Sequence, residues 1–137
     1  MENRKSALLK NRPIIANAKV NDMMRDEERF QNVTLRPIIK FQNDLLIEAF
    51  RNYVTKRKNV FYEKKLEDRI NYINHAISKD LKFRNSLKGM IIGQFTVDEY
   101  KHYITNSSAL NKRMMNLVKQ RLQDQIQLFE TPLNEAS

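Results

Sequence analysis

Only two glycines and three prolines interrupt 137 residues, against average usage of about 7% and 5%. A chain this poor in both can build few tight turns and few left-handed backbone positions. Helices joined by short polar connections are the fold left open to it. The apolar spacing agrees. From Pro37 to about Thr55, Ile38, Phe41, Leu45, Leu46, Ala49, Phe50 and Val54 recur at three- and four-residue steps, the stripe of a helix that faces a core. Thr34-Leu35-Arg36-Pro37 reads as its start, because proline at the first helical position gives up no needed N–H. Phe61 to about Lys79 follows with a seam of Leu66, Ile70, Ile73 and Ile77.

Asp80 is placed to cap the next helix, which carries Leu81, Leu87, Met90 and Ile91 and ends where Gly93 supplies a C′ glycine. Thr96 and Glu99 spell a capping box, opening a short helix from Val97 to about Thr105 whose apolar side is Val97, Tyr100 and Ile104. The last helix runs from about Ser108 to Phe129, with Leu110, Met114, Met115, Leu117, Val118, Leu122 and Ile126 inward or near it, and Met114 and Met115 are expected to pack in the core. No strand pattern survives. The expectation is an all-α, single compact domain of about five helices over 26–131, with a short helical turn from Asp26 to Val33. A flexible basic arm over 1–25, where Pro13 breaks any helix, precedes it, and a loose tail over 132–137 follows.

Lys and Arg number 25 against 16 Asp and Glu, a net charge of +9, which favours anionic partners. The absence of cysteine removes disulfides, thiol catalysis and Cys-ligated metal sites, and only His75 and His102 remain as imidazole ligands. No run of about 18 apolar residues could span a membrane, and the first twenty or so positions lack a signal-peptide core. The chain is expected in the cytoplasm, away from membranes. No Gly-rich phosphate loop, Gly-x-Ser-x-Gly elbow or His-Glu-x-x-His occurs. Glu99 and His102 match one half of a helical carboxylate–imidazole metal motif, but Glu99 is already the capping-box glutamate and no second copy exists. His75 lies away from its helix's seam. No catalytic residue, metal or cofactor is therefore expected, and the chain reads as a binding protein and not an enzyme.

The most suggestive stretch is Phe50 to Lys65, where cations and aromatics interleave across a helix–loop–helix junction. Arg51, Lys56, Arg57, Lys58, Lys64 and Lys65 could hold phosphates, and Tyr53 and Tyr62 could stack bases. The competing view makes Phe50 and Phe61 core, the tyrosines half-buried and the lysines a solvated corner. Lys82, Arg84 and Lys88 form a second basic group, and Lys112, Arg113, Lys119 and Arg121 a third. Arg84, Lys88, Lys112 and Arg113 are the second-line contacts.

Leu35 to Leu45, Phe83 to Thr96 and Asn106 to Asn116 resemble a group of short all-helical bacterial proteins of uncharacterised function. Some members carry the label glyoxalase, which would imply a metal-dependent lyase of βαβββ units with His and Glu ligands. Nothing in this sequence matches such a ligand set, so no residue is carried over. The expected partner is RNA or DNA, or a nucleoprotein assembly. The alternative is a protein–protein interaction or regulatory module, which a homodimer would also satisfy, because the long first and last helices have wide apolar faces.

Overall fold

A computed structural model describes residues 2–14 and 25–129. Among them the structure is all-α: α1 Glu2–Asn11, α2 Asp26–Phe30, α3 Arg36–Phe41, α4 Asn43–Lys56, α5 Leu66–Lys79, α6 Leu81–Ile92, α7 Val97–Tyr103 and α8 Ser107–Asp124, with no strand. The βαβββ architecture implied by a glyoxalase label is thus not the one these residues adopt. A π-helical turn over Gln31–Leu35 joins α2 to α3, and 3-10 turns cover Val60–Glu63 and Ile126–Phe129.

The π turn has a local cause. Pro37 has no N–H and its ring crowds the carbonyl four residues back, so the ordinary ladder cannot continue through it. The backbone widens, and the Arg36 N–H reaches back five residues to the Gln31 carbonyl. The widening also turns Thr34 inward, where it is buried. A second adjustment divides the helix expected from Pro37 to Thr55: Gln42, at φ −88° and ψ 5°, separates α3 from α4, while its side-chain amide donates to the Met90 carbonyl of α6.

One core runs through the molecule. Phe50, Phe61, Tyr72 and Phe129 stack edge to face around α4 and α5, with centroid distances of 5.0 Å for Phe50–Phe129 and 5.3 Å for Phe50–Phe61 and Phe61–Tyr72. Leu110, Met114, Met115, Val118 and Leu122 bring α8 against it, fully buried. Phe50 and Phe61 are core, as the more conservative view of that stretch expects, and so are both methionines of α8.

Several expectations are corrected. The first part of the basic arm is helical: α1 ends before Pro13, and its arginines fix it to the α6–α7 turn, so the absence of an apolar stripe did not prevent a helix held by side-chain hydrogen bonds. Arg4 donates to the carbonyls of Phe95 and Gly93 and Arg12 to that of Gln94, satisfying groups that a helix C-terminus leaves unpaired. The rest of the arm up to residue 24, and the tail, lie outside the described residues. On α5 the inward face is Ile73, Ala76 and Ile77, while Leu66 and Ile70 are exposed, because the chain from Val60 to Glu63 turns as a 3-10 segment and α5 starts only at Leu66. Leu81, Tyr100 and Ile104 are also exposed, and Tyr103 is the residue α7 buries. Gly93 has an ordinary right-handed φ of −60° and no C′ role. Asp80 caps α6 through the Phe83 N–H, and Thr96 and Glu99 form the complete capping box.

Candidate nucleic-acid interface

The helix–loop–helix corner is built by an abrupt chain reversal. α4 stops at Lys56, and Lys58 and Asn59 both take positive φ, 61° and 58°, before the 3-10 turn brings Phe61 into the core. Its two arginines on α4 and the following turn are engaged internally. Arg51 pairs with Glu48, donates to the Leu128 carbonyl at 2.6 Å and lies over the Phe129 ring. Arg57 pairs with Asp80 at 2.8 Å and stacks on Tyr53 with its guanidinium carbon 3.5 Å from the ring centroid. Tyr53 in turn donates to Asp80 and packs on Phe83 at 4.2 Å. Burial and that hydrogen bond push its phenol up to about 12, against a smaller opposing pull from Arg57. Asp80 is held below the usual carboxylate range, first by the Phe83 N–H and further by Tyr53 and Arg57, which together outweigh desolvation.

Both flat surfaces that could have stacked bases are thus occupied or folded in: Tyr53 between Arg57 and Phe83, and Tyr62 half-buried against Phe61. Burial raises the Tyr62 phenol, opposed by Arg51 and Arg69. Lys56, Lys58 and Lys65 are exposed and Lys64 is half-buried; none makes an ion pair among the described residues. The second group is dispersed. Lys82 faces the cleft between α4 and α6, whereas Arg84 donates back to the Ile77 carbonyl and Lys88 is half-buried on α6.

A different concentration of charge lies between the α2–α3 rod and α8. Two adjoining clefts of about 350 and 420 Å³ share Arg36, Leu117 and Gln120 and form one groove. Arg36, Lys40, Lys112, Arg113 and Arg121 line it, together with Gln31, Asn116, Gln120 and Gln125; Glu27 and Asp124 are its carboxylates. Arg113 is neutralised by Glu27 at 3.4 Å and donates to Gln31. Arg36 and Arg121 are held differently. The Arg36 Nε donates to the Asn32 side-chain oxygen at 2.9 Å, and an Arg121 terminal nitrogen donates to that of Asn43 at 3.2 Å. Asn43 is itself fixed by a reciprocal pair of hydrogen bonds with Gln125 at 2.7 and 3.0 Å, and Gln125 also donates to the Arg121 carbonyl.

Two half-buried guanidinium groups are therefore oriented by neutral amides, and neither meets a carboxylate within ion-pair distance among the described residues. Among the described residues no ion pair compensates them, and each guanidinium makes one side-chain hydrogen bond there, leaving donors of the kind with which arginine grips a phosphate through two parallel hydrogen bonds. The third basic group pointed partly here through Lys112, Arg113 and Arg121. The contributions of Arg36 and Lys40, one helical turn apart on α3, went unread because they looked like the entry of a core helix, and the orienting amides of Asn32, Asn43 and Gln125 come from three separate elements. Glu99 and His102 share no such site: Glu99 is bound by Arg12 and Thr34, and His102 stacks on Phe30 at 5.5 Å. No cluster of three or more His, Cys, Asp or Glu suited to a metal occurs among the described residues, and none of their helices is long and apolar enough to cross a membrane.

No protein-family model matches the chain, and neither a curated protein nor a solved structure matches it.

Proposed function

We propose that this chain is a binding protein for RNA or DNA that grips the phosphate backbone in the groove between α3 and α8. The observation that carries this is the pair of arginines, Arg36 and Arg121, held by amides and without an ion pair among the described residues. Lys40 and Lys112 extend the charge along the groove, and the exposed Lys56, Lys58 and Lys65 add longer-range attraction. No aromatic ring among the described residues lines the groove, so contact is with phosphate and sugar, and sequence selectivity is weak.

Binding of labelled RNA and DNA across a salt titration from roughly 50 to 200 mM tests this directly. The full chain should bind at low salt and lose affinity steeply as salt rises. Replacing Arg36 and Arg121 together by alanine should flatten the log–log salt slope by about 2 on duplex, close to one unit for each phosphate that is no longer neutralised. The same replacement at Lys56 and Lys58 should have a smaller effect. Absence of binding at the lowest salt, or an unchanged slope in the arginine variant, would overturn the assignment.

A further inference from the structure

The cleft between α4 and α6 has a chemistry unlike the basic groove. The two helices run antiparallel: Gln42 meets Met90, Tyr53 meets Phe83 and Arg57 meets Asp80. Between them lies an open cleft of about 370 Å³ with an apolar floor of Leu45, Ala49, Tyr53, Phe83 and Met90. Leu45 keeps 48% of its surface exposed. Leu45 is thus an uncovered apolar side chain over the cleft floor, next to Leu46 and Phe50, which are fully enclosed.

The cleft is also polarised along its length. Lys56 and Lys82 stand at one end, both exposed and without an ion-pair partner among the described residues. The carboxylate at that end, Asp80, is already used by Arg57, the Tyr53 hydroxyl and the Phe83 N–H. Leu45 and Met90 occupy the other end, which is apolar. From Leu45 to Lys56 the helical rise gives a cleft about 16 Å long, the length of roughly three helical turns. A nucleic acid would waste this floor, since phosphates gain nothing from it and the Tyr53 ring is sandwiched.

We infer that the α4–α6 cleft docks an amphipathic helix of a partner protein, laying its apolar face on Leu45, Ala49 and Met90 and presenting glutamates or aspartates at the end that meets Lys56 and Lys82. Helix-in-groove recognition combines apolar anchors at i, i+3 or i+4 and i+7 with flanking charge. Charge complementarity selects an acidic partner and fixes the direction in which it lies. This surface is separate from the α3–α8 groove and shares with the nucleic-acid reading only the longer-range attraction of Lys56, so loss of nucleic-acid binding by the groove variants leaves it standing.

The test uses the full chain and three labelled peptides of about 15 residues: a leucine-faced helix ending in three glutamates, the same helix ending in three lysines, and a scrambled form of the first. Fluorescence anisotropy should show the acidic helix binding at least about tenfold more tightly than the other two, a difference of about 1.4 kcal/mol. Replacing Lys56 and Lys82 together by glutamate should reverse the preference toward the basic peptide, a gain that misfolding cannot produce. The Leu45→Glu variant, altered at an exposed position, should weaken the acidic helix while leaving the circular dichroism spectrum unchanged. Equal binding of the acidic and basic helices, or no reversal in the double variant, would overturn the inference. So would a concentration-dependent dimer in light scattering that Leu45→Glu abolishes, because the cleft would then belong to a second copy of the chain.

Discussion

Arg12 and Glu99, 87 positions apart in sequence, meet in a two-point ion pair at 2.6 and 2.9 Å. Glu99 is at the same time the capping-box residue of α7, accepting from the Thr96 N–H at 2.9 Å, and it accepts from the Thr34 hydroxyl at 3.0 Å. One carboxylate therefore joins α1, the π turn and the start of α7. Arg12 and Glu99 keep only 10% and 16% of their side-chain surface exposed, so neither charge is well solvated on its own.

Breaking this junction from either side should destabilise the fold. Glu99→Gln leaves the largely buried Arg12 guanidinium without a counter-charge, and we expect a loss of about 2 kcal/mol, below the range for fully buried pairs. Arg12→Met should cost a similar amount, and the double variant less than the two together, as a double-mutant cycle in urea would show. Burial pushes the Glu99 carboxyl up, but the hydrogen bonds and charge of Arg12, the Thr96 N–H and the Thr34 hydroxyl outweigh it, and the group sits below its usual value. A lowered carboxyl adds stability at pH values above its unfolded pKa of about 4.3, and that stability disappears as pH falls through the folded value. Acid unfolding of the wild type should thus steepen below about pH 4.3, and Glu99→Gln should remove part of that dependence.

The Tyr53 phenol supplies a second titration. With its pKa raised to about 12, it should remain protonated when ordinary tyrosines, near 10, have ionised. A raised group contributes stability fully present below its unfolded pKa and lost as pH rises through the folded one. Phenolate absorbance should show a late component near pH 12 that is missing in Tyr53→Phe. Asp80→Asn should move that component down, because the Asp80 hydrogen bond and charge both raise it, and Asp80→Ala should also cost about 1 kcal/mol as a lost N-cap.

What was legible in the sequence was what short-range chemistry decides. Asp80, Thr96 and Glu99 cap helices because their side chains reach an N–H three residues away, and Phe50, Met114 and Val118 are core because their spacing fits one helix face. The unread parts depend on partners distant in sequence. α1 carries no apolar stripe and is fixed by Arg4 and Arg12 reaching the carbonyls of Gly93, Gln94 and Phe95. Arg57 looks like a free cation until the fold supplies Asp80, and Arg36 looks like a helix-start residue until α8 supplies the other wall of its groove. Leu66 and Ile70 fit a seam by spacing, but a periodic pattern cannot tell where the neighbouring helix stops covering it.

Lys58 offers a test of backbone strain at the corner. Its φ of 61° lies in the left-handed region, where a residue with a Cβ is disfavoured by roughly 1 kcal/mol. Lys58→Gly removes that cost but gives the unfolded chain more freedom, so a net gain of about 0.5 kcal/mol is expected in chemical denaturation. If Lys58 contributes to nucleic-acid attraction as well, the same variant should bind slightly less tightly while being more stable, an opposite movement that separates the two roles.

The two glycines of α6 and its exit should respond differently to alanine. Gly89 lies inside the helix, and a Cβ built there meets nothing within 4 Å. Its φ is not positive, so Gly89→Ala only removes the entropic cost of glycine in a helix and should stabilise the protein by about 1 kcal/mol. At Gly93 the added Cβ would stand 3.1 Å from the Gly89 carbonyl oxygen, and that carbonyl also accepts the Gly93 N–H at 2.9 Å. The helix end must open slightly to admit the methyl group, and the Gly93 carbonyl must stay in reach of Arg4 while it does so. Gly93→Ala should accordingly gain little or lose stability. Thermal unfolding of the two variants side by side would check the order, and a larger gain at Gly93 than at Gly89 would show that the α6 exit is more yielding than its hydrogen bonds to α1 imply.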